Sequence, residues 1–460
     1  MDTEIKKRNF ALLIIILIFA FLIRWDTIMT PRDFWIDESF QYKMAQKDLN
    51  FILDSPDVHP PLFNIFGKVL YDLGFQDPLI LRFIMLFLSL VLIAVFFLYL
   101  KEFFNIEVAF YGSLILSFCW TYIYYATEFR SYTLVLIFTV IQLKYFNRLL
   151  YNKPGKSIFM LVLFTLLMVY SHYMAGLIII TQAIFLNIYW EKINIKIQAE
   201  YLHAFFYIIM SCIPLLIYLL RTIPQVGSFW FKDIDLNSLI STFGYILSPP
   251  VKNSILFLFF YILVFYGAYI FLWKHNFKYN QYVLYLFFPP LIMWIISQFF
   301  PFYHHRYFLF GGLSFFILLG YTLDKIDLKK KDLGLFLASL WMIVLVFTYP
   351  GFKESFNTEL IDSAYNISGD VKDYDYFIHT SSFSYLPYEV MYPEKIHILL
   401  TNLTRRELFT AGGSVIDPIY IYHWDYDFLL ENKSLIGVSD RPLFENIIYS
   451  EGGLYVTKRN

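Results

Sequence analysis

Charge and cysteine are scarce in this sequence. Only 16% of its 460 residues are Asp, Glu, Lys or Arg, and 36 basic against 37 acidic groups leave a net charge of −1. That balance excludes the basic field that nucleic acid selects, and it excludes an acidic tail. Nucleic acid is therefore not an expected partner. Cys119 and Cys212, the only two cysteines, are too few for a disulfide framework and sit in apolar runs, where they read as small buried hydrophobes. No repeat of fixed period occurs, and no low-complexity tract beyond a Phe, Ile and Leu bias, so a solenoid is not indicated. A cleavage pattern of small residues is also missing at the N-terminus. Lys6, Lys7 and Arg8 precede an apolar run from Phe10 to Ile23, but Arg24, Trp25 and Asp26 follow at once. The run reads as a retained first membrane helix.

Apolar residues are abundant instead. Hydrophobic types make up 58% of the chain and aromatics 22%, well beyond the averages for soluble domains. A helix needs roughly 20 mainly apolar residues to cross the hydrocarbon, fewer with aromatic ends. On that basis eleven segments are predicted to span: Phe10–Trp25, Leu79–Leu100, Val108–Ala126, Ser131–Phe146, Ser157–Tyr170, Tyr173–Trp190, Leu202–Leu220, Ile255–Trp273, Tyr282–Phe300, Tyr307–Leu323 and Leu333–Tyr349. Basic residues gather in alternate connections, among them Lys6, Lys7 and Arg8, Lys101, Arg148, Lys192, Lys274 and Lys329 to Lys331. The opposite connections, longer in total, hold fewer. This bias predicts a cytoplasmic N-terminus in a multi-pass protein of the cell membrane.

With an odd number of spans, everything after Tyr349 lies outside, including the Asn-x-Ser/Thr sequons at Asn366, Asn402 and Asn432. From about Gly351 the composition changes to charges, Gly and Pro punctuation and short strand-like runs such as Tyr376–Ile378, Ile396–Leu400, Ile419–Tyr422 and Leu454–Thr457. The expected architecture is mainly α: a polytopic transmembrane helical bundle over residues 1–350, with amphipathic helices in the first outer loop. A small extracytoplasmic α/β domain follows over residues 351–460.

Ionisable residues near membrane depth are costly, so their placement is informative. They fall on the outer side. The first outer connection holds Asp37 and Glu38 and then His59-Pro60-Pro61-Leu62. The second holds Glu128-Phe129-Arg130-Ser131-Tyr132, a third Ser171-His172-Tyr173, and a later one His304-His305-Arg306-Tyr307. Arg82 lies about one turn inside the second span. Taken singly, His172, His304, His305 and Arg82 fit an interfacial aromatic and basic belt. The acidic pair fits a helix N-terminal preference, and Pro60 and Pro61 fit the opening of the next helix. The convergence of acid, histidine and arginine on one face from distant loops argues for more.

In order and topology, Asp37-Glu38, His59-Pro60-Pro61-Leu62, Glu128 to Tyr132 and Arg306-Tyr307 resemble the polytopic glycosyltransferases of the C-type fold. The likeness runs over roughly Phe10 to Leu323 and is nearest to the family 39 branch of protein mannosyltransferase-like and aminoarabinose-transferase-like enzymes. Two departures stand out. The β-trefoil domain of eukaryotic protein mannosyltransferases is absent, and the aminoarabinose-type Lys-Pro-Pro is here His59-Pro60-Pro61. The resemblance implies an inverting transfer of a monosaccharide from a polyprenyl-phosphate donor, dolichyl or undecaprenyl, to an extracytoplasmic glycan, lipid or protein, with an acid of the first outer loop as base.

Carried onto this chain, the base is Asp37, and Glu38 orients it or binds a sugar hydroxyl, since neighbours on a helix point about 100° apart. Growing charge on the leaving phosphate calls for fixed donors. Arg130 and Arg306 come first, because the planar guanidinium grips phosphate with two donors. Arg82, His59, His172, Glu128, Tyr132 and Tyr307 stand behind them as further donor-binding candidates. A divalent cation between Asp37 and His59 is an alternative source of charge, but no tight ligand spacing marks one, and no metal or other cofactor is assigned. The connection from Arg221 to Lys252, with Trp230, Phe231, Pro249 and Pro250, is a candidate flap over the site. His423-Trp424-Asp425-Tyr426 is taken as a chance likeness to an oligosaccharyltransferase motif. A lipid-linked sugar flippase or transporter, and a membrane scaffold with a partner-binding tail, are the competing readings.

Overall fold

The structure, a computed structural model, describes residues 2–29, 34, 36–54, 59–152, 157–222, 234–247, 255–274, 277–299, 303–327, 332–354, 376–379, 382–400, 421–422, 435–439, 446–451 and 454–459. The first helices are α1 (Asp2–Met29), α2 (Ile36–Gln46), α3 (Leu49–Asp54), α4 (Leu62–Asp72) and α5 (Pro78–Phe103). Next come α6 (Ile106–Phe118), α7 (Trp120–Ala126), α8 (Tyr132–Leu150), α9 (Ser157–Ser171), α10 (Gly176–Ile188) and α11 (Ile195–Thr222). Then follow α12 (Leu236–Leu247), α13 (Ile255–Lys274), α14 (Asn280–Ser297), α15 (Leu309–Asp327) and α16 (Leu333–Glu354). The tail holds β1 (Tyr376–His379), α17 (Ser382–Met391), β2 (Ile396–Leu400), β3 (Ile421–Tyr422), β4 (Leu435–Ser439), β5 (Asn446–Glu451) and β6 (Leu454–Arg459). Two compact units divide the chain. One comprises Met1–Thr27, Arg82–Ile217 and Trp230–Phe352; the other comprises Ile28–Leu81, Tyr218–Phe229 and Lys353–Asn460.

This is a polytopic helical membrane protein. Lipid offers no partner to backbone N–H and C=O groups, so apolar runs of this length satisfy themselves as helices. All eleven expected segments overlap helices, with Phe300, the end of one of them, outside the described residues. Among the described residues six helices are long and apolar enough to span, α6 with α7 makes a seventh, and four shorter apolar helices lie at Ser157–Ser171, Tyr173–Ile188, Ile262–Leu272 and Leu333–Ile343. The three sequons, His423 to Tyr426 and the Trp230, Phe231, Pro249 and Pro250 of the expected flap lie outside the described residues.

In the larger unit α15 is the central element. Every residue from Leu309 to Asp324 is buried, as expected of a helix apolar on all sides. By contrast, only 17% of the apolar window of α11 is covered. Glycine permits the packing of α15. A Cβ on Gly320 would lie 2.9 Å from the Gly112 amide nitrogen and 3.0 Å from the Val108 carbonyl oxygen, so α6 and α15 cross in backbone contact. Polar side chains pair inside the bundle. Gln142 of α8 and Gln182 of α10 exchange amide hydrogen bonds of 2.8 and 2.9 Å. Asn147 donates to the phenols of Tyr99 and Tyr282 and accepts from Gln281. Buried amides are stable in hydrocarbon only when satisfied in this way.

One expected span is not straight. The segment Val108–Ala126 breaks at Cys119, whose extended backbone (φ −72°, ψ 117°) separates α6 from α7 by a bend of 68°. A break frees carbonyls at the end of α6, and Arg24 of α1 meets one of them: its Nη1 donates to the Ser117 carbonyl at 2.9 Å and to Ala20 at 3.2 Å. The buried arginine thereby acts as a helix C-cap supplied by another helix. On the far side of the break, Thr121 donates to the Tyr245 carbonyl at 2.5 Å and Tyr122 to the Leu309 carbonyl at 2.6 Å. These bonds anchor α7 to α12 and α15.

The second unit contains the first-loop helices and the tail sheet. Asp37 and Glu38 stand in the first turn of α2, where the helix dipole favours acids, and Pro60 and Pro61 directly precede α4. Ile36, Met44 and Ile52 form one buried cluster with Tyr385 and Leu386 of α17, and Lys43 reaches Glu389 at 2.9 Å. The six-stranded sheet has the order β3-β2-β1-β4-β6-β5. β1 pairs in parallel with β2 and β4, and β6 is antiparallel to β4 and β5. The connection β1-α17-β2 is the βαβ unit that parallel pairing requires. In its core His379 and His397 lie 3.1 Å apart (Nε2 to Nδ1), and His397 Nε2 donates to the Tyr392 carbonyl at 3.0 Å. Burial holds His379 well below the usual imidazole range, with His397 adding to it. Burial likewise brings His397 down to about 4, against the Tyr392 hydrogen bond and helped by the charge of Lys43.

Two outcomes are expected. Gly320→Ala should lower the unfolding midpoint in detergent by the equivalent of about 1–3 kcal/mol, the usual cost of overpacking; an unchanged midpoint would show slack at the α6–α15 crossing. The two histidines are neutral when folded, whereas the unfolded chain takes up protons near the ordinary imidazole value. Their contribution is therefore complete above about pH 6.5 and declines as pH falls toward about 4. Hydrogen exchange should show β1 and β2 amides protected at neutral pH and progressively exposed on acidification. A flat profile would contradict a buried neutral pair.

Candidate functional site

Three sequence-distant segments of the larger unit meet around a set of aromatic rings. The loop from α7 to α8 carries Glu128 and Arg130, and Tyr132 opens α8; all three are buried, and the Arg130 amide donates to the Glu128 carbonyl at 2.8 Å. Tyr132 packs at 5.8 Å on His172, which lies between α9 and α10. His172 in turn packs at 5.5 Å on Tyr307, in the short 3-10 helix His305–Phe308 ahead of α15. Arg306 lies over the Tyr307 ring at 5.8 Å. Behind them Tyr125 sits 4.6 Å from Tyr132 and shares a hydrogen bond with the Tyr245 phenol of α12. Thr242, also of α12, bonds the Tyr303 phenol at 2.7 Å and His305 Nδ1 at 2.9 Å.

Two of the histidines share a local role. His172 Nδ1 accepts from the Met174 amide at 3.3 Å and His304 Nδ1 accepts from the Arg306 amide at 3.2 Å, each capping a 3-10 turn. A ring nitrogen that accepts carries no proton, so the neutral tautomer of each has its hydrogen on Nε2. Both rings are thereby set as donors. Burial pushes the Tyr245 phenol up to about 12; beyond that the Tyr125 hydrogen bond lowers it, Glu128 raises it and Arg306 lowers it. An anion and a cation from segments far apart in sequence therefore act on one phenol. Burial also raises Tyr303 to about 12, partly offset by Thr242. These phenols stay neutral, as hydrogen-bonding hydroxyls, at any physiological pH.

Of the residues expected from the sequence, Glu128, Arg130, Tyr132, His172, Arg306 and Tyr307 belong to this cluster. Arg82 is buried in the same unit, four residues after the start of α5. Asp37, half-buried, Glu38, buried, and His59, half-buried, belong to the second unit. Tyr125, Thr242, Tyr245 and Tyr303 were not anticipated. With 38 tyrosines in the chain no single one stands out, and the only available signal was the density of Tyr122, Tyr124 and Tyr125 just before Glu128. Among the described residues no three of His, Cys, Asp or Glu gather as a metal site requires.

This architecture is the C-type fold of polytopic glycosyltransferases. ArnT from Cupriavidus metallidurans in the apo state matches with a TM-score of 0.61 at 10% identity, over 97% of this chain and 97% of that one. The same protein bound to undecaprenyl phosphate matches with a TM-score of 0.58, again at 10% identity and 97% of both chains. The archaeal oligosaccharyltransferase AglB from Archaeoglobus fulgidus, in complex with an inhibitory peptide and a dolichol-phosphate, matches with a TM-score of 0.57 at 12% identity, over 94% of this chain and 69% of that one. No model of a known protein family matches the chain, and no curated protein matches its sequence.

The capping role separates two substitutions. His304→Asn supplies an oxygen where the ring nitrogen accepted and should hold the turn, whereas His304→Ala should cost about 1 kcal/mol, the scale of a lost cap. Thermal unfolding of the two variants checks this, and equal midpoints would mean that the Nδ1 contact does not hold the Arg306 turn.

Proposed function

We propose that the protein is a membrane glycosyltransferase that moves a monosaccharide from a polyprenyl phosphate to a hydroxyl of a glycan, lipid or protein on the extracytoplasmic side, with inversion. The observation that carries this reading is the gathering of Arg130 and His172, both buried, and Arg306, half-buried, with the Tyr132 and Tyr307 phenols in one cluster of the larger unit. Such a group suits a phosphate at a low-dielectric boundary, where fixed donors act far more strongly than in water. The fold adds weight, because ArnT has been seen with undecaprenyl phosphate and AglB with a dolichol-phosphate.

In this reading Asp37 accepts the acceptor's hydroxyl proton as its oxygen bonds the anomeric carbon. The bond from that carbon to the phosphate oxygen breaks on the opposite face, and its electron pair leaves with the polyprenyl phosphate. Arg130 and Arg306 take up the growing charge through paired N–H donors, and His172 adds a neutral donor. Glu38 orients the base or a sugar hydroxyl. His59, Arg82, Glu128, Tyr132 and Tyr307 shape the donor site. The N-terminus is cytoplasmic, and the site and tail face outward across the cell membrane.

Purified protein with a radiolabelled polyprenyl-phosphate sugar and an acceptor mixture tests the proposal. Transfer is expected, and Asp37→Asn should lower kcat about 100-fold or more, the scale of lost general base catalysis, with donor affinity nearly unchanged. Arg130→Lys keeps charge without the planar fork and should fall between native and Arg130→Ala, with Arg306 behaving alike. Polyprenyl phosphate should raise the native unfolding midpoint more than that of either alanine variant. Movement of the intact lipid-linked sugar across vesicles without transfer would instead support a flippase.

A further inference from the structure

The helix that begins with Asp37 is too short to place itself. α2 has 11 residues, below the roughly 12–15 at which an isolated helix is even marginal in water. Its position is therefore set by what it packs on, and one support comes from more than three hundred residues later in the chain. Tyr385 and Leu386 of α17, 1% and 0% exposed, cluster with Ile36 and Met44, which flank Asp37 and Lys43. Lys43 adds a directional contact, 2.9 Å from Glu389 Oε1, with the two side chains only 14% and 24% exposed. Six residues separate Lys43 from Asp37, about 9 Å along the axis. A rotation of α2 that moved one would move the other.

α17 is itself fixed from below. Tyr385 and Tyr388 meet the His379 ring edge-on at 5.4 and 5.6 Å, and Tyr385 meets His397 at 5.9 Å. Its side chains thus rest on β1 and β2.

We propose that α17 is a positioning element for the base helix: Glu389, through Lys43, and Tyr385 with Leu386 hold α2 at the rotation in which Asp37 meets the acceptor. This rests on Asp37 being the base, and it gives the tail domain a part in the reaction that needs no substrate contact. Lys43 and Glu389 are positioning residues. Both side chains of this pair are mostly buried, so breaking it also costs stability, and an ångström of misplacement at a reacting group lowers rate by as much as about 100-fold.

The full-length protein in nanodiscs carries the test, with Lys43→Glu, Glu389→Lys and the double exchange. Each single variant should lose about 10- to 100-fold in kcat per folded protein, with the donor KM within about twofold and the unfolding midpoint lowered by the like charges left in contact. Amides of α2 should exchange faster in both. The double exchange remakes the pair in reverse and should recover most of kcat and slow α2 exchange again. An active native enzyme whose kcat ignores the single variants overturns the positioning role and leaves the glycosyltransferase reading standing. Losses that multiply in the double variant overturn it as well. If the native protein transfers no sugar while exchange in α2 still tracks the pair, the functional reading fails and takes the positioning role with it.

Discussion

Backbone contact around α15 is the constraint on which the larger unit depends. In lipid there is no hydrophobic drive between apolar helices, so association rests on close packing and on polar side chains that find one another. Gly320 lets α6 lie against α15 with no side chain between them. At the other end of the helix, a Cβ on Gly312 would fall 2.5 Å from the Tyr122 phenol oxygen, and that phenol donates to the Leu309 carbonyl. The 3-10 turn with Arg306 and Tyr307 leads directly into α15, and Tyr122 lies on the helix that leads to Glu128. The positions of both segments relative to each other therefore follow from how closely one buried helix is approached.

The cluster at that end sets one acid among two arginines: Glu128 and Arg306 act on Tyr245 with opposite sign, Arg130 is buried two residues from Glu128, and the remaining groups are phenols, a threonine and imidazoles. Burying an isolated cation is costly, whereas a compensated set is tolerable. The capping bonds of His172 and His304 fix which ring nitrogen bears the hydrogen, so the donor pattern is built into the backbone before any ligand arrives.

Much of the fold was legible because lipid imposes a simple demand, twenty or so apolar residues per crossing; the expected segments lie on helices, although among the described residues six, or seven with α6 and α7 together, are long and apolar enough to cross. The tail strands were legible from short β-branched and aromatic runs at Tyr376, Ile396 and Leu454, whereas β4 and β5 were not singled out. The bend at Cys119 could not be read, since hydropathy is blind to one extended dihedral in an apolar run. Nor could the support of α2 by α17, a contact that no local pattern announces. In the site, Glu128, Arg130, His172 and Arg306 stood out because charged and imidazole groups are rare near membrane depth. Tyr245 and Thr242 did not, because a tyrosine or threonine carries no such cost and the aromatic background hides it.

The bond from Arg24 to the Ser117 carbonyl ties residues 93 apart in sequence. The first helix enters the bilayer long before its partner has been made. At synthesis rates of about 5–20 residues per second, its guanidinium waits on the order of ten seconds for the broken helix that supplies an acceptor. During that interval a charged side chain in the first helix has only the Ala20 carbonyl of its own helix, water at the interface and lipid headgroups to turn to, and snorkelling outward is the cheapest resolution. Assembly thus has an order: the guanidinium of α1 can reach the Ser117 carbonyl only once α6 has been made.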